Sequence, residues 1–260
     1  FNGWYYLALK GFYKMSVLLD KDKKAREIDA QMQSFKQAFN RQFWDGKGYR
    51  SHNYTGTYDD RVQALAVVSS LAGEEQYDEI LEIFKQSYLA SPYMEKYVLE
   101  ALCQMEQVNH ALERMKSRFG PMVNHPWITT MWENWDIGYG SVNHAWSGGG
   151  LTILSQYIAG LEPVEAGWKT FRIQPRLGKL SHVKVKIPTV HGRIAVEMNK
   201  SNNQYELKAS VPDGTESLIH IPVTYRNIQI NNQRVVADNQ IVTSGNLKNL
   251  IQSAVENQTK

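Results

Sequence analysis

The sequence predicts a helical domain followed by an antiparallel β-sandwich, and two observations carry this prediction. Before residue 163, apolar residues recur every three or four positions, which is the spacing of amphipathic helices. After it, apolar and polar residues alternate in short runs, which is the spacing of half-buried strands. We therefore predict a helical-hairpin domain over 1–162, a β-sandwich over 163–246, and a C-terminal tail over 247–260 that forms a short helix or frays.

Seven helices are predicted in the first region, and most of the connections between them are short. They cover residues 3–19, 23–44, 60–72, 75–90, 92–105, 108–120 and 142–160. Short connections imply antiparallel hairpins, so the first, third, fifth and seventh helices share one direction. These four are also the more apolar, which predicts an inner helical layer wrapped by an outer one. The N-termini of the inner helices would then lie at one end, where an anionic or hydrogen-bonding ligand is favoured.

Capping residues support the third and fifth helices. Asp59 or Asp60 is the expected N-cap of the third helix, Gly73 lies just past its end, and Ser91-Pro92 begins the fifth. Asp59 and Asp60 would also lie at the ligand-binding end of the inner layer. Capping is the favoured interpretation of both carboxylates.

Five alternating runs are predicted to form the strands of the sandwich. They cover residues 181–187, 192–198, 205–211, 217–223 and 226–236. In the second of these runs, Ile194, Val196 and Met198 occupy one face. Turn residues such as Asp213-Gly214 separate the runs, and several short strands at this spacing are typical of an antiparallel sandwich.

The composition argues against several classes of partner. The formal net charge is only +3 and no basic stripe is present, so nucleic-acid binding is not expected. No apolar run approaches the roughly 18 residues of a membrane span, and no signal peptide is recognisable. Cys103 is the single cysteine, and its apolar helical surroundings predict a buried, inert thiol. No cofactor is predicted.

One glycine-rich stretch, TTMWENWDIGYGSVNHAWSGGG at residues 129–150, gathers aromatic rings around two carboxylates. Four of the seven tryptophans lie between residues 127 and 146, and no Lys or Arg occurs from Phe119 to Trp168. The glycines predict a loop, and loops run over the surface. Exposed flat rings beside carboxylates suit the apolar faces and hydroxyl edges of a sugar. Core packing is the alternative for any single ring.

Glu133 is the predicted catalytic carboxylate. Trp132 and Trp135 flank it, so partial desolvation without a neighbouring cation is expected, which suits a group that transfers protons. The alternative for Glu133 is helix capping or binding to the backbone. Asp136 contacts the ligand or accepts hydrogen bonds in a turn, and the turn role is slightly favoured. His144 begins the last predicted helix, where a neutral, hydrogen-bonding imidazole is expected, although a structural role is equally open.

Other chemistries fit this stretch poorly. It offers no second histidine at ligand spacing and no thiolate, so no metal site is predicted. Ser141 and Ser147 flank His144, but the G-x-S-x-G pattern of a serine nucleophile is absent. Gly148 to Gly150 are expected to allow close helix packing, because no P-loop Lys follows them. The predicted ligand-contacting residues are Trp132, Trp135, Asp136, Tyr139, Asn143 and His144.

Three groups of residues carry a family resemblance. They are TTMWENWD with SVNHAWSGG, then IAGLEP with GWKTFRIQPRLG, then HVKVKIPTVHGRIAVEM. Together they resemble the C-terminal half of bacterial α-L-rhamnosidases, glycoside hydrolase family 78, over about residues 1–250. Thr189-Val190-His191-Gly192 replaces the more common T-P-x-G, and the loop between W-E-x-W-D and S-x-N-H is shorter than in many relatives.

The resemblance implies an (α/α)6 barrel of twelve helices, of which seven are predicted here, and an inverting mechanism with two carboxyl groups. It assigns the general base to Glu133 and a sugar contact to His144. The motifs that supply the general acid have no match, so the acid is expected upstream of residue 1, about 6.5–9.5 Å from the base in the folded enzyme. The chain opens without Met, as a processed protein or a fragment would, and is expected to be inactive alone.

The activity implied is hydrolysis of terminal α-L-rhamnosides in a rhamnose-containing oligosaccharide or glycoside, where aromatic walls would suit the apolar 6-methyl group. The resemblance favours a periplasmic or extracellular location. Two alternatives stay open. One is another six-hairpin-barrel glycosidase or phosphorylase that acts on a different sugar, and the other is a non-catalytic carbohydrate-binding protein.

Overall fold

The computed structural model describes residues 1–201, 204–220, 225–230, 233–234, 241–243 and 249–256. The chain divides into two compact units, Phe1–Gly150 and Leu151–Lys260. Parts of the predicted strands 217–223 and 226–236, and the end of the tail, lie outside the described residues. In the described part of the chain, every helix is too short or too polar to cross a lipid bilayer.

The first unit contains six regular α-helices within the described residues. They are α1 (Asn2–Leu18), α2 (Asp22–Phe43), α3 (Asp60–Ser69), α4 (Tyr77–Gln86), α5 (Pro92–Gln104) and α6 (Val108–Val123). A short 3-10 turn, Glu74–Gln76, precedes α4. The first six predicted helices are therefore confirmed, with ends that differ by a few residues.

The helices form hairpins arranged in two layers. Each of α1, α3 and α5 packs against the helix that follows it, and α3 also packs against both α1 and α5. Helices α3 and α5 have the largest buried share, with six of 10 and seven of 13 residues buried, including Val67, Val98 and Leu99. By contrast, α2 buries only three of its 22 residues. This is the arrangement of inner and outer helices that the apolar pattern predicts.

A buried ionic cluster joins three of these helices. Asp60 of α3, Glu95 of α5 and Arg114 of α6 have fully buried side chains. The guanidinium of Arg114 lies 2.6 Å from a carboxylate oxygen of each partner, and it donates to the backbone oxygens of Phe84 at 2.8 Å and Ser87 at 2.9 Å. Burial alone would lower the pKa of Arg114, but its hydrogen bonds and charge interactions with Glu95 and Asp60 outweigh burial and raise it.

Both ends of α3 are set by specific contacts. Asp59 is the N-cap, as predicted, and its carboxylate accepts a hydrogen bond from the backbone N–H of Arg61 at 2.9 Å. At the other end, Ser70 has a left-handed backbone with φ 68°. The amine of Lys10, on α1, donates to the Ser69 carbonyl at 3.2 Å and to the Ser70 hydroxyl at 3.0 Å. This long-range contact helps to end the helix three residues before the predicted position.

The seventh predicted helix, 142–160, is wrong as a regular α-helix. The structure has a 3-10 turn at Ala145–Gly148, a single α-turn at Gly149–Thr152 and a π-helix at Ile153–Ile158. Three consecutive glycines weaken helix formation here. Gly149 also packs so closely on α5 that a Cβ there would lie 2.5 Å from the Cβ of Lys96. Gly149 therefore serves the close packing that the sequence predicts for all three glycines, whereas a Cβ at Gly148 or Gly150 would meet no described atom closer than 3.8 Å.

The second unit contains two β-sheets within the described residues. Their strands are β1 (Leu161–Pro163), β2 (Thr170–Ile173), β3 (His182–Thr189), β4 (Gly192–Ser201), β5 (Gln204–Ser210), β6 (Glu216–His220), β7 (Tyr225–Ile230), β8 (Gln233–Arg234), β9 (Ile241–Thr243) and β10 (Asn249–Glu256). One sheet has the order β1-β2-β6-β9 and the other β3-β4-β5-β10-β7-β8. Strands β2 and β6 pair in parallel, and the other described pairs are antiparallel.

The core of this unit follows the predicted alternation. Ile194, Val196 and Met198 on β4 are buried, and so are Leu207 and Ala209 on β5. They belong to one cluster with apolar side chains of β1, β2 and β6. Because side chains on a strand alternate between its faces, the polar residues between them face outward. The predicted fold class, a partial helical barrel domain followed by a sandwich, is confirmed, with one parallel pair in the smaller sheet.

The tail differs from its prediction. Residues 249–256 form β10, which pairs with β5 on one side and β7 on the other. A strand between two partners gains backbone hydrogen bonds on both edges, so its structure depends on distant parts of the chain more than on its own sequence. The expectation of a short helix or frayed end therefore does not hold for these residues.

Candidate active site

The two motifs of the aromatic stretch are joined by a backbone hairpin. The N–H of Glu133 donates to the carbonyl of Ser141 at 2.9 Å, and the N–H of His144 donates to the carbonyl of Met131 at 2.8 Å. The hydroxyl of Thr130 adds a further bond to the opposite side of the hairpin. This ladder brings W-E-x-W and S-x-N-H side by side, so Glu133 and His144 meet although ten residues separate them.

The turn of the hairpin uses Asp136 and a glycine. The Asp136 carboxylate accepts the N–H of Gly138 at 2.8 Å, and its carbonyl accepts the N–H of Tyr139 at 3.1 Å. Gly140 follows with φ +76°, a left-handed conformation that favours glycine. Asp136 therefore has the turn role that the sequence slightly favours over ligand contact.

Glu133 has one occupied and one free carboxylate oxygen. Its Oε2 accepts the backbone N–H of Ser141 at 2.8 Å and lies 3.6 Å from Nδ1 of His144. Among the described residues, nothing donates a hydrogen bond to Oε1, and no Lys or Arg forms an ion pair with this side chain. The side chain is 28% exposed.

His144 sits directly against this carboxylate. It is the N-cap residue of the 3-10 turn Ala145–Gly148, which is where the sequence places it at the start of a helical segment. Its Nδ1 lies 3.2 Å from the hydroxyl of Ser141, and the imidazole packs on the ring of Trp146 with 4.2 Å between centres. One ring nitrogen is therefore held by the hairpin.

Trp146 belongs to the site, although it is absent from the predicted set of contact residues. Its indole N–H donates to the Glu133 carbonyl at 3.2 Å, and its ring is 42% exposed. Tyr93 of α5 lies 5.4 Å from it, centre to centre. The sequence signal was present, since this tryptophan follows the S-x-N-H histidine by two positions on a glycine-rich segment.

The ring of Trp146 begins a continuous aromatic surface. Tyr93 contacts Tyr97 one turn further along α5, with ring centres 5.7 Å apart, and Tyr97 meets Trp4 of α1 edge-on at 5.0 Å. Burial, and then the hydrogen bond with Tyr93, raise the pKa of Tyr97 well above its usual range, so its hydroxyl stays protonated. We call His144, Trp146, Tyr93, Tyr97 and Trp4 the aromatic wall.

Trp132 is not part of an exposed platform. Its side chain is 6% exposed, and its ring meets His125 edge-on at 5.3 Å. The hydroxyl of Ser147 donates to the Trp132 carbonyl at 2.5 Å, and this bond ties the two sides of the hairpin together. The expectation of an exposed ring at this position is therefore wrong. Side chains on a hairpin alternate, so the neighbour of an exposed residue turns into the protein.

Trp135 anchors the hairpin to the helices. Its indole N–H donates to the carbonyl of Ala90 at 2.7 Å, and its ring contacts Phe119 at 5.1 Å. The guanidinium of Arg118 lies 4.1 Å from the ring centre and donates to the same Ala90 carbonyl at 2.6 Å. A cation thus contacts the neighbouring tryptophan and not the catalytic candidate.

The remaining predicted contact residues, Tyr139 and Asn143, lie on the exposed side of the hairpin. Tyr139 is 70% exposed, and its carbonyl accepts a bond from the side chain of Asn134 at 3.3 Å. The carbonyl of Asn143 accepts a hydrogen bond from the hydroxyl of Ser141 at 3.4 Å.

In the described residues, no group of three or more His, Cys, Asp and Glu side chains is placed to hold a metal ion.

Comparison with known families decides the relationship. Residues 2–158 match the model of the bacterial alpha-L-rhamnosidase 6 hairpin glycosidase domain. Residues 160–235 match that of the bacterial alpha-L-rhamnosidase C-terminal domain. The chain belongs to the bacterial α-L-rhamnosidase family. The family resemblance found in the sequence is thereby confirmed, and the helical unit and the β unit correspond to two successive rhamnosidase domains.

Individual relatives agree with this assignment. The chain is 24% identical to an alpha-L-rhamnosidase of Formosa agariphila, over 90% of this chain and 27% of that protein. The solved structure of alpha-L-rhamnosidase from Dictyoglumus thermophilum matches 98% of this chain and 32% of its own, with a TM-score of 0.81 and 19% identity. The Streptomyces avermitilis alpha-L-rhamnosidase, solved in complex with L-rhamnose, has a TM-score of 0.75 and 20% identity, over 97% of this chain and 26% of its own. The chain thus spans about a third or less of these relatives' lengths.

Proposed function

We propose that this chain is part of an enzyme that hydrolyses terminal α-L-rhamnosides with inversion, and that Glu133 is its general base. The observation that carries the proposal is the geometry of Glu133. One carboxylate oxygen is fixed by the Ser141 N–H and the other has no described donor, on a side chain that is 28% exposed. A carboxylate held in this way has a free lone pair to accept a proton from a water molecule.

The surroundings of Glu133 suit a sugar. The aromatic wall gives apolar faces beside a carboxylate and an imidazole, which is the mixture that a pyranose ring with hydroxyl edges requires. Its exposed rings fit the apolar 6-methyl group of rhamnose. The Streptomyces avermitilis relative binds L-rhamnose in its solved complex, which supports the same sugar here.

The proposal needs a second carboxyl group as general acid. In an inverting hydrolase, the acid lies about 6.5–9.5 Å from the base so that a water molecule fits between base and sugar. Asp60 and Glu95 are fully buried and are both ion-paired with Arg114, so they are not available for this role. We place the acid in the part of the full-length protein that corresponds to the rest of its relatives, and we expect these 260 residues to be inactive alone.

The test uses the full-length protein that carries this chain, with an aryl α-L-rhamnoside as substrate. Glu133→Gln keeps the shape of the side chain and removes the base, so kcat should fall by about a hundredfold to ten-thousandfold. Asp136→Asn is the matched control, because that carboxylate lies three residues away in the turn, and it should keep the rate within about threefold. Wild-type turnover by Glu133→Gln would show that this carboxylate is not the base.

Two further readouts separate the alternatives. Proton NMR of the first-formed sugar should show β-L-rhamnose from an α-linked substrate, as inversion requires. A panel of aryl glycosides, with and without inorganic phosphate, separates rhamnosidase activity from activity on another sugar or phosphorolysis. Binding of rhamnose without turnover of any substrate would favour the non-catalytic carbohydrate-binding protein.

A further inference from the structure

Two polar groups lie near Nδ1 of His144, and a third group, the Asn143 carbonyl, is bonded to one of them. Oε2 of Glu133 is 3.6 Å away, and the Ser141 hydroxyl oxygen is 3.2 Å away. The same hydroxyl lies 3.4 Å from the carbonyl oxygen of Asn143. All of these groups are on one hairpin whose backbone is itself hydrogen-bonded.

Counting donors and acceptors distinguishes the two neutral tautomers. A carboxylate and a carbonyl accept only, and the Ser141 hydroxyl has one hydrogen to give. If that hydrogen goes to the Asn143 carbonyl, the hydroxyl oxygen can accept an Nδ1–H, which also points its positive end toward Glu133. If Nδ1 carries no hydrogen, its lone pair faces the carboxylate and the Asn143 carbonyl loses its bond to Ser141. The first arrangement gives Nδ1, the Ser141 hydroxyl and the Asn143 carbonyl each a hydrogen-bond partner.

We propose that His144 carries its proton on Nδ1, held there by the Ser141 hydroxyl and the Glu133 carboxylate, and that it presents Nε2 to the substrate as a hydrogen-bond acceptor. Ser141 is then a positioning residue for substrate recognition, acting through His144. The sugar hydroxyl that meets Nε2 must donate its hydrogen. This inference rests on the proposed function for the identity of the ligand, while the tautomer itself does not.

A role in recognition predicts a particular kinetic change. Ser141→Ala keeps the backbone N–H that binds Glu133 and removes only the hydroxyl that orients His144. Because the bond from a sugar hydroxyl to Nε2 is made in the ground state and in the transition state alike, its weakening raises KM and leaves kcat nearly unchanged. The expected rise in KM is about fivefold, the usual effect of one neutral hydrogen bond, with kcat within about twofold of the parent. Ser141→Thr retains a hydroxyl and should restore the parent KM.

The tautomer is tested directly by neutron diffraction from deuterated crystals of the full-length protein at neutral pH. Deuterium on Nδ1 of His144 and none on Nε2 is the expected result. Deuterium on Nε2, alone or together with Nδ1, would overturn the inference, and so would a parent-like KM in Ser141→Ala or a failure of Ser141→Thr to restore it. The diffraction result does not depend on turnover, so it is distinguishable from a failure of the hydrolase proposal, which Glu133→Gln tests.

Discussion

Replacing Gly140 with alanine separates the cost of backbone strain from the cost of moving Glu133. Gly140 has φ +76°, where an L-residue loses roughly 1–2 kcal/mol. Its Cβ would also lie 2.6 Å from Oε2 of Glu133, whereas ordinary contact begins at 3.4 Å. The carboxylate must therefore shift by close to an ångström, and a displacement of that size in a catalytic group costs about a hundredfold in rate.

Gly214 provides the matched control, because it has the same φ of +76° and a Cβ there would meet no atom of the described residues within 4 Å. Thermal unfolding and aryl α-L-rhamnoside hydrolysis would be measured for both alanine variants of the full-length protein. Each alanine variant should lower the free energy of unfolding of the unit that carries it by roughly 1–2 kcal/mol. Only Gly140→Ala should lose activity. Full activity in Gly140→Ala would mean that Glu133 does not act from the position described, and equal activity losses would mean that strain alone is responsible.

Two predictions concern stability. Arg114→Met removes the ion pairs of the buried Asp60 and Glu95 at 2.6 Å and leaves Glu95 only the longer ion pair with Arg118 at 3.6 Å, so it should destabilise the helical unit by about 3–5 kcal/mol in urea unfolding. The control is the exposed ion pair between Lys85 and Glu82, where Lys85→Met should change the free energy of unfolding by less than about 0.5 kcal/mol. Equal losses of stability in Arg114→Met and Lys85→Met would refute the role of burial. Asp59→Ala should cost about 1 kcal/mol at pH 7 through loss of the N-cap. Burial alone would raise the pKa of Asp59, but the hydrogen bonds from Arg61 outweigh burial and lower that pKa. The stabilisation by Asp59 is therefore present above the unfolded-state pKa of about 4 and is lost as the pH falls through the lower folded-state pKa. A stability difference between Asp59→Ala and the parent that is the same at pH 7 and pH 3 would contradict this prediction.

Periodicity predicted the elements because helices and strands are local, but their ends and partners depend on distant contacts. The end of α3 accepts a hydrogen bond from Lys10, which lies 59 residues from Ser69. Strand β10 exists between β5 and β7, and its own sequence did not indicate it. The cluster of Asp60, Glu95 and Arg114 joins three helices, and the sequence predicted only a capping or ligand-facing role for Asp60, not its burial against Arg114. None of these features is encoded within a window of a dozen residues.

In the site, too, the sequence predicted the types of residue but not their placement. The sequence placed Glu133 and His144 in one loop, and the hairpin brings them to 3.6 Å. It did not decide which rings of the stretch face solvent, since that depends on the register of the hairpin. Trp132 is consequently buried and Trp146 is exposed, the reverse of what their distances from Glu133 along the chain indicate.

The backbone, more than the side chains around it, fixes the position of Glu133. Its N–H and Oε2 both bond to the main chain of Ser141, and its carbonyl accepts the indole N–H of Trp146. Two of these three bonds use only backbone atoms on the Ser141 side, so they survive any substitution at 141 that keeps the turn. The hairpin turn itself requires Gly140, because no Cβ fits at this position beside the Glu133 carboxylate. It follows that the position of Glu133 should be more sensitive to a methyl group on Gly140 than to loss of the Ser141 hydroxyl, which bonds to His144 and Asn143 and not to Glu133.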